Sequence, residues 1–166
     1  LPAPGSMIAD VSGRLEDFVG SESDFRVRFP GTGAIEVILD SAAKLTVLSG
    51  GTEIASQLGF DMVDGDTLDI RVTHDEETTD LQVGVGLNGE GLNALVNDFG
   101  FDEFAPRALE IALAKDGEGN GKNPRMLLDR ASVRQGFSPV PVDQIEAFVD
   151  TFDGPDLEEN WSIQDE

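Results

Sequence analysis

Residues Lys115 to Pro124 read KDGEGNGKNP, which sets Asp116, Glu118 and Asn120 on alternate positions ahead of Gly121. That is the front half of a calcium loop, where alternate oxygen-bearing side chains turn toward one cation. Such a loop needs a bidentate Glu at its twelfth position; here that position is Leu127, so a standard EF-hand is excluded. The glycines also suit a hairpin tip, because glycine takes the positive φ that tight turns demand. Two readings follow: a cation site on Asp116, Glu118 and Asn120, or a plain turn.

Other chemistries find less support. Glycoside hydrolysis needs two facing carboxylates. With 33 acids, chance pairs are unavoidable, and Glu36 to Asp40 spaces its acids unlike the E-x-D-x-x-E strand of glucanases. His74 is the sole histidine, and with Asp75, Glu76 and Glu77 it reads as a solvated turn. Cysteine is absent, which removes disulfides, thiolate zinc sites and cysteine nucleophiles. G-x-S-x-G, H-E-x-x-H and phosphate-loop patterns are also absent. In NDFGFDEF, Phe99, Phe101 and Phe104 lie among Asp98, Asp102 and Glu103. Phe99, Phe101, Asp102 and Phe104 could form a small sugar platform or anchor a loop. Tyrosine is absent and Trp161 stands in the tail, so aromatic surface for stacking on sugars is scarce.

The charge balance bounds the partners. Thirty-three acids against 11 bases give −22. Such a field repels nucleic acid and anionic membranes and attracts cations. Lysine stands only at 44, 115 and 122, an acidic, lysine-poor surface that suits salty surroundings, where counterions screen self-repulsion. No apolar run approaches the roughly 20 residues of a membrane helix.

The elements that must position these residues read as β. In DFRVRF, Phe25, Val27 and Phe29 alternate with Arg26 and Arg28, the period of a half-buried strand. Similar runs cover 34–40, 44–51, 63–75, 80–91, 108–116 and 125–135, separated by Gly, Pro, Asn and Asp clusters. About seven short strands without helical periodicity predict an antiparallel β-sandwich. Residues 56–60 and 91–104 carry no clear pattern; the second stretch suits a long loop or a short helix. The opening LPAPGSM reads as a cloning remnant, the module as 8–135 and a proline-bearing linker as 136–147. The tail, 148–166, reads as the start of a further domain or as a strand or helix docked back on the sandwich.

The run LEIALAKDGEGNGKNPRMLLDRASV resembles the closing hairpin of galactose-binding-like jelly rolls, the sandwich of many carbohydrate-binding modules. Its Leu127-Leu128-Asp129-Arg130-Ala131-Ser132-Val133 matches their last strand, with Arg130 where a second Asp or Asn is frequent. The resemblance covers about residues 24–135 and implies a structural calcium held by Asp129 with acids near the domain's start, Glu16 and Asp17. FVDTFDGPDLEENWSI resembles the first strand of concanavalin-like lectin and glucanase sandwiches, through Phe148, Phe152, Asp153, Gly154, Leu157 and Trp161.

These readings converge on an all-β jelly roll, non-catalytic and extracellular or at the cell surface, serving adhesion or glycan binding. Calcium is the one cofactor suggested. The expected partner is carbohydrate or a neighbouring protein module, without nucleic acid or membrane insertion. Alternatives are an accessory domain of a polysaccharide-degrading enzyme and a structural spacer that adds a strand to a neighbour.

Overall fold

The alternation in SDFRVRF is realised as strand β2, Ser23–Phe29, with Phe25, Val27 and Phe29 buried and both arginines on the opposite face. The computed structural model describes residues 6–75, 78–100, 105–106, 108–115, 121–136 and 146–150. Every strand pairing among them is antiparallel. No helix occurs among the described residues.

Two sheets form. The six-stranded sheet runs β13-β12-β1-β7-β8-β9, with β1 at Ser6–Glu16, β7 at Thr67–His74, β8 at Asp80–Leu87, β9 at Asn93–Gly100, β12 at Arg125–Gly136 and β13 at Glu146–Asp150. The five-stranded sheet runs β11-β2-β4-β5-β6, adding β4 at Ile35–Asp40, β5 at Leu45–Ser49, β6 at Thr52–Gln57 and β11 at Glu110–Lys115. The short β3, Gly31–Thr32, pairs with β10, Ala105–Pro106.

Each sheet contributes one apolar face to a single core. Met7, Val11, Ile70, Val72, Leu81 and Val83 come from the larger sheet; Phe25, Phe29, Val37, Leu39, Leu45 and Val47 come from the smaller. Burying a side chain of this size stabilises the fold by about 1.5–3 kcal/mol. The β-sandwich expectation holds.

Several local expectations are corrected. The segment KDGEGNGKNP is not a hairpin tip, since β11 lies in one sheet and β12 in the other. It is a crossover between sheets. His74 is not a solvated turn residue: it ends β7 between Met7 and Leu81 and is 6% exposed. Residues 93–100 form β9 rather than a helix or loop. Ser6 and Met7, set aside on sequence, open β1, and Met7 lies in the core. Glu146–Asp150, across the linker and tail boundary, pairs with β12 from Gln135 to Ala131.

One end of the sandwich is fastened by Asp64. Its Oδ1 accepts the backbone N–H groups of Phe18 (2.7 Å) and Val19 (2.8 Å), in the connection from β1 to β2. Lys122, from the second crossover, donates to the Val19 carbonyl and reaches Asp64 Oδ2 at 3.3 Å. Burial alone would raise the Asp64 carboxyl. Hydrogen bonds from Val19, Lys122 and Phe18, with the charge of Lys122, outweigh it and hold the group below the usual carboxylate value.

Candidate ligand cleft on the larger sheet

Strand β8 reads DLQVGVGL, so its core-facing positions are Leu81, Val83 and Val85, while its outward positions include Gly84 and Gly86. The missing side chains let the β8–β9 turn fold back onto the sheet's outer face. A Cβ at Gly86 would meet the Gly91 carbonyl oxygen at 2.3 Å, and one at Gly84 would meet Leu92 Cβ at 3.1 Å. The turn is also pinned from below. Asn88 sits at φ 52, and its side chain accepts the Thr67 N–H (3.0 Å) and donates to Asp66 (2.8 Å). Asp69 accepts the Gly89 N–H at 3.1 Å.

The folded-back turn walls a half-open cleft of about 530 Å³. Its floor is β1 and β7, through Asp10, Ser12, Asp69 and Arg71; Arg130 of β12 stands on the far side. The volume falls in the range of small-ligand sites. In the register, Asp10 lies between Arg71 and Ser132, and Ser12 between Asp69 and Arg130.

Asp10 is the electrostatic centre. One oxygen meets Arg71 Nε at 2.5 Å and the other meets Arg134 at 3.0 Å. Its side chain is only 14% exposed. The hydrogen bond that Arg71 donates to Asp10 raises the guanidinium above its ordinary value. Beside this clamp, Ser132 Oγ and Arg134 Nε are buried without a hydrogen-bond partner among the described residues. Arg130 is exposed and forms no ion pair among them.

A bulge puts Arg130 there. Leu128 pairs with Gly13 and Arg130 with Ser12, so Asp129 is the extra residue on β12. One extra residue reverses the alternation of a strand. Leu128 therefore turns inward and Arg130 outward, with Ala131 back in the core.

The sequence-predicted residues that the structure describes do not line this cleft. Asp129 is exposed at the bulge. Glu16, at the other end of the β1–β12 pairing, is held by Arg14 and Arg125 at 3.0 Å each. Three strand positions, about 10 Å, separate Glu16 from the bulge. Asp17 is exposed at φ 53. No group of three or more potential metal ligands occurs among the described residues. Asp116, Glu118 and Asn120 lie outside those residues, as do Phe101, Asp102 and Phe104; Phe99 lies in β9 opposite Leu81. Asp10, Asp69 and Arg71 had no sequence motif. Their signal was the outward half of two strand patterns, read only for its apolar half.

The architecture defines a fold class: an antiparallel two-sheet β-sandwich. No protein-family profile and no curated protein matches the chain. Solved structures do. The catalytic domain of a glycoside hydrolase family 131 protein from Coprinopsis cinerea aligns with a TM-score of 0.55 at 15% identity, over 82% of this chain and 58% of that one. A GH131 β-glucanase catalytic domain from Podospora anserina gives 0.53 at 11% identity, over 80% and 59%. The Lotus tetragonolobus seed lectin gives 0.54 at 9% identity, over 87% and 73%. The chain thus spans less than two thirds of the two catalytic domains. At these identities the likeness is one of fold. It also corrects the expectation of a non-catalytic module, because this sandwich serves as a catalytic domain in both hydrolases.

Proposed function

We propose that the chain is a glycan-handling β-sandwich whose ligand lies in the cleft over β1 and β7. The observation that carries this reading is the cleft itself: a half-open trough of about 530 Å³ where carboxylate, guanidinium and hydroxyl groups on the strands stand beside apolar surface from Val11, Ile70 and Leu92. Sugar hydroxyls both donate and accept, so they suit a floor where Asp69 accepts, Arg71 and Arg130 donate and Ser12 does either. The likeness in fold to a seed lectin and to glucanase catalytic domains supports a carbohydrate ligand. A setting outside the cell or on its surface, with a role in attachment, accords with it.

A second reading is hydrolysis, favoured by Asp10 and Asp69. They are diagonal neighbours across β1 and β7, a relation that separates residues by about 7–8 Å. Carboxyl groups about 6.5–9.5 Å apart suit an inverting glycosidase.

Both readings are tested on one set of oligosaccharides. Binding is measured by calorimetry and cleavage by reducing-sugar release, with the wild type and Asp69→Asn. Glycan binding predicts affinity that falls about tenfold in the variant, from the loss of a charged hydrogen-bond acceptor. Hydrolysis predicts product release that Asp69→Asn removes. Binding that Asp69→Asn leaves unchanged would move the ligand away from this cleft.

A further inference from the structure

The cleft is unusual for the charge it carries. Arg71, Arg130 and Arg134 gather around Asp10 and Asp69, three guanidinium groups against two carboxylates among the residues that line or clamp the cleft, on a molecule of −22. Three of the protein's 11 basic residues therefore sit in one patch. The smaller sheet's outer face shows the contrast. There Arg26 and Arg28 are matched by Asp24 and Glu36 in a ladder of ion pairs at 2.8–3.7 Å.

Donors also outnumber acceptors in the cleft. Asp10 engages Arg71 through Nε alone, leaving both terminal amino groups of that guanidinium without a partner among the described residues. The Arg130 guanidinium lacks a partner there altogether, and Asp69 already accepts from Gly89. A ligand that satisfied this set would be rich in acceptors. Guanidinium groups pair with planar oxyanions through two parallel N–H···O bonds, which a neutral hydroxyl does not match.

We propose that the cleft selects an anionic glycan, one whose sugar carries a carboxylate or a sulfate ester, and that Arg130 reads that charge. This rests on the glycan reading above and narrows it. The global charge does not oppose it at short range. At physiological salt the screening length is about 8 Å, so a sugar in the cleft senses its own arginines more than the distant acids. The bulge at Asp129 belongs to the same device, because it turns Arg130 outward beside Ser12.

The test uses the whole chain in 0.15 M sodium chloride with three oligosaccharides of equal length: an oligogalacturonate, a sulfated galactan oligomer and a neutral cello-oligomer. Calorimetry is run on the wild type, Arg130→Ala, Arg130→Lys and Gly86→Ala. The expected result is at least tenfold tighter binding of one anionic oligomer than of the neutral one. Arg130→Ala erases the difference and Arg130→Lys restores part of it. Preference for the uronate identifies a carboxylate as the ligand group; preference for the galactan identifies a sulfate ester. Equal affinity for neutral and anionic oligomers, lost in Gly86→Ala but not in Arg130→Ala, overturns the charge selection and leaves the glycan cleft standing. Failure of all three to bind overturns both. Arg130 is exposed, so its variants keep the fold, which a thermal melt checks.

Discussion

Asp64 does its work with one carboxylate and three donors. Phe18 and Val19 present backbone N–H groups, and Lys122 adds a cation. The bonds favour the charged form, so the folded carboxyl titrates below the usual carboxylate value. A group with a depressed folded value contributes stability above its unfolded pKa, and that contribution disappears as pH falls through the folded one. Asp64→Asn should therefore cost about 1 kcal/mol at neutral pH, a shift of a few degrees in melting temperature. The gap between variant and wild type should close below about pH 4. Melts from pH 2.5 to 7 check this; a gap independent of pH would show that the charge of Asp64 is not what holds the three connections.

Elements are the scale at which sequence and structure part company. The strands whose apolar half alternates without interruption, β2, β4, β7 and β8, were legible because periodicity two is a direct image of a half-buried strand. Strand β6 was not, since an edge strand whose side chains are mostly exposed carries no apolar alternation. Strand β1 carries Met7, Ala9, Val11 and Leu15 in good alternation, but its first residues resemble a cloning remnant. The bulge left a readable trace: Met126 and Leu128 are inward at even positions, Ala131 and Val133 at odd ones. Strand partners were not legible. Proximity in sequence suggested a hairpin for β11 and β12, whereas their hydrogen bonds go to β2 and β1 in different sheets. The cleft shared that fate, because it is made by residues from β1, β7 and β12 that meet only through register. At this scale the glycines of β8 give a clear prediction. Gly86→Ala places a Cβ against the Gly91 carbonyl, so it should destabilise by about 1–3 kcal/mol and abolish ligand binding by lifting the turn. Chemical denaturation and calorimetry check both effects. Unchanged affinity would mean that the turn is not a wall of the binding site.

Across the whole molecule, charge sets the conditions under which the sandwich is stable. A net −22 over 166 residues produces self-repulsion that screening relieves. Ion pairs such as Arg14–Glu16 and Arg125–Glu16 are exposed enough to lose little on screening. The melting temperature should therefore rise between 10 mM and 1 M sodium chloride. Potassium chloride should act equally, since the effect requires no specific site. A fall in melting temperature with salt would show that favourable ion pairs outweigh repulsion.

The place of β1 has a consequence in time. It lies between β12 and β7, and it is bonded along most of its length to both. During synthesis on the ribosome, β1 emerges before the other described strands, yet one of its neighbours is made more than a hundred residues later. The smaller sheet's β2, β4, β5 and β6 are consecutive, paired in order, and free to close early. The larger sheet must wait, with the core side of β1 uncovered along one edge. Such long-range pairing slows folding and prolongs exposure of sticky surface. The acidic surface that repels other copies of the chain would then serve the nascent protein as much as the finished one.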